Sequence, residues 1–153
     1  DMANQVLTNA LGAFGRTTGS EVNFQVVVPF EASGAISAND LVAVAASVDT
    51  DTTITVETLD VSDSLPERVI GVAKAAAADG AVVEVVVFGY AICNIGDTAP
   101  ALDDLVTLHA STDGAAAKVS PADATAVVGD HFGIYLGTEI GSSNTAAIWF
   151  SKF

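Results

Sequence analysis

The sequence predicts an all-β protein: a compact barrel- or sandwich-like body built from two similar β-modules, preceded by an extended N-terminal arm. Three observations predict it. Short runs of Val, Ile, Thr and aromatic residues recur with turn-forming residues between them, as in small sandwiches and barrels. A pattern is also spelled twice. Asn39-Asp40-Leu41-Val42-Ala43-Val44-Ala45-Ala46-Ser47 returns as Asp103-Asp104-Leu105-Val106-Thr107-Leu108-His109-Ala110-Ser111. Downstream, Val69-Ile70-Gly71-Val72-Ala73 and the apolar run Val82 to Phe88 are echoed by Phe132-Gly133-Ile134-Tyr135-Leu136 and Ala146 to Phe150, at an offset of 62 to 64 residues. Finally, residues 1–21 lack a clean period of two and read as an arm. The expected organisation is an arm over 1–21 and a body over 22–153, with pseudo-repeats at about 34–90 and 98–153.

Within the arm, Val6, Leu7, Ala10, Leu11 and Phe14 fall at spacings compatible with one helical stripe, but Gly12, Gly15 and Gly19 each cost a helix about 1 kcal/mol. Fully extended, its twenty-odd residues span up to about 70 Å, enough to reach a neighbouring molecule. Val22 to Val26 alternates, and Pro29 ends that run or marks an edge strand. Leu41 to Ala46 is a short apolar strand after the turn-like Gly34 to Asn39. Thr53 to Val61 is a strand with a slip near Thr58 that predicts a bulge. Val69 to Ala73 follows, then an Ala75 to Ala78 connection. Val82 to Phe88 is almost continuously Val, which predicts cover on both faces. Tyr90 to Ile95, Leu105 to Ala110, a weak Ala117 to Val119, Phe132 to Leu136 and Ala146 to Phe150 complete the strands. One helical turn is expected at Ser120-Pro121-Ala122-Asp123, where Ser can cap and Pro can open the turn.

Composition excludes several classes. With 153 residues, 50% of them hydrophobic, the chain can bury a core as one domain. No apolar stretch approaches the roughly 20 residues of a membrane helix, so no membrane partner is expected. No basic cluster followed by an apolar core opens the chain, so it reads without a secretory signal. A single cysteine, Cys93, rules out an internal disulfide and fits a reducing compartment. Five Lys+Arg stand against 19 Asp+Glu, for a net charge of −14. Phosphate neutralisation needs clustered cations; Arg16, Arg68, Lys74, Lys118 and Lys152 are scattered singly, so no nucleic-acid partner is expected.

The residues for chemistry are few, and the chain reads as a non-enzyme. His109 is expected mid-strand and His131 at a turn, neither with a serine in a Gly-x-Ser-x-Gly elbow. Cys93 lies in an apolar run with no base beside it and reads as a small buried hydrophobe. Asp49-Thr50-Asp51, Asp60 with Asp63, and Asp103-Asp104 could supply oxygen ligands to a divalent ion. They lack EF-hand spacing and read as caps and solvated charge, so no metal is expected. Gly12 to Gly19 lacks the Lys-Ser/Thr ending of a phosphate loop. No catalytic residue and no cofactor is therefore expected. Aromatic residues gather at both ends, and terminal aromatics can anchor subunit contacts. The expected partner-contact residues are Val6, Leu7, Leu11, Phe14, Trp149 and Phe153.

From Gly34 onward the chain resembles the small head-decoration, or capsid cement, proteins of tailed bacteriophages. The residues that carry the resemblance are the Asp-Leu-Val strand after a small-residue turn (Gly34 to Val44) and Ile70-Gly71-Val72-Ala73 leading through an Ala/Asp/Gly connection into Val82 to Phe88. The second Asp-Leu-Val strand and Gly133-Ile134-Tyr135 before a final strand extend it over about three quarters of the chain. The resemblance implies a β-barrel-like body, a homotrimer, that binds the major capsid protein on the outer surface of the virion and bridges capsid subunits after synthesis in the host cytoplasm. It also implies an N-terminal arm that ties neighbours together. The acidic composition departs from the pattern. The alternative reading is an extracellular β-module of a surface layer or adhesin, which acidic charge and Ala/Val/Thr richness also suit.

Overall fold

A computed structural model describes residues 24–45, 54–63, 68–96, 100–119, 131–139 and 144–152. The arm over 1–21 and the turn expected at Ser120–Asp123 lie outside the described residues. Nine strands follow in order: β1 (Gln25–Ala32), β2 (Leu41–Val44), β3 (Thr55–Thr58), β4 (Val69–Ala73), β5 (Val82–Asn94), β6 (Leu105–Leu108), β7 (Ala116–Val119), β8 (Gly133–Glu139) and β9 (Thr145–Phe150). A short 3-10 turn lies at Val61–Asp63. The protein is all-β.

The strands form one sheet in the order β1-β3-β2-β4-β5-β9-β8-β6-β7, and an additional β1–β5 pairing closes the first five into a barrel. Closure shortens the open edge that would otherwise invite pairing with other chains, since β3 meets β1 at Glu31 and Ala32. β5 is the hinge of the topology. Its first half pairs with β1 and β4, and from Gly89 to Asn94 it pairs with β9. Gly89 has φ of +96°, and a Cβ there would strike the Phe24 carbonyl oxygen. Only glycine fits at this change of partner.

The second half of β5 then takes, toward β6–β9, the place that β1 takes toward β2–β5. In the barrel, β1 is parallel to β3, while β3–β2, β2–β4, β4–β5 and β5–β1 are antiparallel. Beyond Gly89, Ile95 makes a parallel bridge to Ala116 of β7, and β7–β6, β6–β8, β8–β9 and β9–β5 are antiparallel. The local turns match as well. Asn39 and Asp103, with φ of 68° and 70°, precede Asp40 and Asp104. The carboxylate of Asp40 accepts from Ser37 N–H at 3.1 Å, and that of Asp104 from Ala101 N–H at 2.8 Å. Each Asp-Leu-Val strand thus begins from the same side-chain-capped turn, a conformation Asn and Asp tolerate better than most residues.

Two cores result. Ala32, Ile36, Val42, Val56, Ala73, Val83 and Val85 fill the barrel. Leu41, Ala43, Val72 and Val86 point the other way and pack with Cys93, Val106, Phe132, Tyr135, Ile148 and Phe150. β2, β4 and the middle of β5 are therefore covered on both faces, which is why Leu41-Val42-Ala43 and Val85-Val86 are apolar without alternation. Backbone bonds stitch the modules together: Leu41 N–H donates to the Gly114 carbonyl at 2.7 Å, Gly114 N–H to Leu59 at 2.9 Å, and Asn94 N–H to Asn39 at 2.9 Å.

Several expectations are settled or corrected. Of the two readings of Pro29, the edge strand is the one found, and β1 runs through the proline. The proline pairs with Glu84 on β5, while β3 meets β1 only at Glu31 and Ala32, so the missing N–H falls on an open stretch of edge. The Thr53–Val61 strand is shorter, and the chain turns at Val61–Asp63 instead of bulging near Thr58; register shifts fall at Val26/Val27 and Val42/Ala43. Val82 to Phe88 and Tyr90 to Ile95 are not two strands, because β5 runs unbroken through Gly89. Val82 and Glu84 are exposed, so cover on both faces starts at Val85.

Candidate functional site: an apolar barrel mouth

Among the described residues, the barrel is open at one end. β1, β3 and β4 start there, and β2 and the barrel half of β5 finish there. The lining follows from that polarity: Val26 and Phe30 from β1, Val44 from the end of β2, Ile54 just before β3, Val69 and Ile70 from β4, and Val87 and Phe88 from β5. Phe150 and Lys152, from the end of the chain, complete a cavity of about 600 Å³. Ile54 is 54% exposed and Val26 36%, so large aliphatic side chains stand open on the rim. A concave, mostly apolar cavity of this size is the usual form of a binding site.

The cations near the mouth are engaged. Lys152 Nζ donates to the Val69 carbonyl at 2.8 Å and lies 5.9 Å over the Phe132 ring. Arg68 Nε donates to the Val44 carbonyl at 3.0 Å, and its guanidinium pairs with Glu57 at 2.6 Å. These bonds pin the ends of β2, β3 and β4 at the rim. They leave the mouth with apolar contact as its main chemistry.

Of the expected partner-contact residues, Val6, Leu7, Leu11, Phe14 and Phe153 lie outside the described residues. Trp149 lies within them. It is half-buried, stacked on Phe24 at 6.4 Å and edge-on to Phe88 at 5.6 Å. Phe24 in turn meets Phe88 edge-on at 6.1 Å. This aromatic cluster backs the Phe88 wall of the mouth and holds the start of β1 to the β5–β9 pair, at centroid distances typical of aromatic packing.

The other candidates fall elsewhere. His109 follows β6 rather than sitting within it, and its ring covers Gly96 so closely that a Cβ there would come within 2.6 Å. His131 precedes β8, with a buried Nδ1 that has no hydrogen-bond partner. Cys93 is fully buried, and burial first, then the nearby Asp40 charge, pushes its thiol well above the usual range. Asp60 is fully exposed, and hydrogen bonds from Ser62 hold its carboxyl below the usual range. Asp49-Thr50-Asp51 lies outside the described residues. Among the described residues, no group of three or more His, Cys, Asp or Glu side chains is placed to hold a metal ion. Sequence reasoning missed the mouth because its residues come from six separated segments. Ile54, an aliphatic residue at an open strand start, is the one local signal.

The fold and the mouth define a small all-β protein with a closed five-stranded barrel joined, through a shared strand, to a second module of the same wiring. The crystal structure of the N base of head fiber gp8.5 from bacteriophage phi29 is similar to it, with a TM-score of 0.55 at 16% sequence identity, over 85% of this chain and 98% of that one. At that identity the likeness establishes a common fold. No family model matches the chain, and no curated protein matches its sequence.

Proposed function

We propose that this chain is a structural protein of a tailed-phage head: a cement protein that binds the major capsid protein on the outer surface of the virion and bridges neighbouring subunits as a homotrimer. The observation that carries the reading is the fold shared with a head fiber base, which takes in 98% of that chain. The resemblance of the Asp-Leu-Val and Ile-Gly-Val segments to head-decoration proteins points the same way.

The physical basis is added contact at the seams between capsid subunits. A shell under pressure from packaged nucleic acid is stressed there, and a bridging protein adds buried area; an interface of roughly 1,600 Å² supports tight binding when well packed. Residues 1–21, with Val6, Leu7, Leu11 and Phe14, extend the reach and turn separate contacts into linked ones at high effective concentration. The net charge of −14 keeps decorated particles apart. The test uses heads assembled from the capsid protein encoded in the same genome. Native mass should give a trimer, bound protein should raise the temperature at which heads rupture, and removal of residues 1–21 should weaken binding. A monomer that leaves head rupture unchanged would reject the reading.

A further inference from the structure

We propose that the barrel mouth receives residues 6–14 of a second copy of this chain. The inference rests on the head-protein reading only for the setting in which copies meet. The cavity of about 600 Å³ is walled by Phe30, Ile70, Val87 and Phe88 and rimmed by the open side chains of Val26 and Ile54. Its natural occupant is a segment that brings apolar side chains and no charge, because an unpaired charge in such a site is costly. Residues 6–14 read Val-Leu-Thr-Asn-Ala-Leu-Gly-Ala-Phe: Val6, Leu7, Leu11 and Phe14 among small residues, with no charged side chain. In a chain with 19 acidic residues, an uncharged contact also brings two copies together without apposing like charges.

The direction of the chain at Phe24 favours a segment of another copy. Traced backward, β1 passes Gly89 and runs beside Tyr90, whose N–H donates to the Phe24 carbonyl at 2.7 Å. At Phe24 the chain therefore heads out of its own barrel, along the half of β5 that belongs to the second module. The nine residues 15–23 then span at most about 30 Å, enough to present residues 6–14 to an adjoining barrel.

The experiment uses full-length chain. One preparation carries Leu11→Cys, a second Ile54→Cys, and a short bismaleimide is added to each alone, to their mixture and to the double variant. The unsubstituted chain controls for Cys93, which is buried. The expected result is a cross-linked dimer in the mixture that needs both substitutions. Cross-linking confined within single chains of the double variant, or none at all, would overturn the proposal. A second arm places Ile54→Asp at the rim, outside the strands, where the side chain is more than half exposed. Its melting should match the parent while self-association falls about tenfold, as expected for a carboxylate forced into an apolar contact; unchanged association would overturn the proposal. Head binding is measured in parallel. Missing cross-links with intact head binding sink this inference alone, whereas absent head binding sinks the functional reading whatever the cross-links show.

Discussion

Asp40 and Asp104 hold the same place in the repeated motif, yet they are not equally engaged. Both cap the turn before an Asp-Leu-Val strand. Asp40 is 7% exposed and also accepts from Asn94 Nδ2 at 2.8 Å and Thr58 Oγ1 at 3.2 Å, tying β2 to β3 and to the end of β5. Asp40→Ala should therefore cost about 3 kcal/mol, because it strands buried donors, and Asp104→Ala about 1 kcal/mol, the worth of a turn cap. Urea unfolding of the two variants checks this; equal losses would contradict the account. Cys93 gives a pH test. Its folded-state pKa is raised by burial, so the folded protein keeps the proton after the unfolded chain has lost it near pH 9. The stability tied to this group is complete below that pH and falls above it by about 1.4 kcal/mol per pH unit. Melting followed from pH 8 to 10.5 should show a steeper decline for the parent than for Cys93→Ala.

At the scale of elements, β5 carries both modules, and its amides should be among the slowest to exchange. β7, which meets β5 through the single Ile95–Ala116 bridge, should exchange early. Hydrogen exchange by mass spectrometry checks the order. Gly133 is the tightest point of the second module: its φ is +143°, and a Cβ there would collide with the Trp149 carbonyl oxygen. Gly133→Ala should break the β8–β9 pairing and cost 3 kcal/mol or more, on the order expected for strained backbone with a buried clash. The sequence showed the strands well where alternation or a repeated turn marked them, as at Asp40-Leu41-Val42 and Asp104-Leu105-Val106. It misplaced a boundary at Gly89, since a glycine that permits a close crossing inside a strand looks like one that ends it. Pro29 left two readings open, a strand end or an edge, for a related reason: whether its missing N–H matters depends on which side of β1 is paired, and a one-dimensional pattern does not carry that. The mouth was invisible for the same cause, because strand polarity alone gathers Val26, Ile54, Ile70 and Val87.

For the whole molecule, the charge and the apolar mouth act against each other. A net charge of −14 opposes any contact between copies, while the mouth and the uncharged residues 6–14 favour one. Added salt screens the repulsion and leaves apolar burial intact, so self-association should strengthen as NaCl rises from 20 to about 500 mM, where the Debye length falls to a few ångströms. Sedimentation velocity across that range checks the sign, and weakening with salt would point to an ion-paired interface instead. The central claim is that this body belongs on a phage head. Its most direct test is co-sedimentation of full-length protein with expanded heads of the cognate capsid protein, with bound copies counted per head. The account predicts saturation at a fixed, symmetry-related number of copies. Protein left wholly in the supernatant at concentrations well above those of the heads would contradict it.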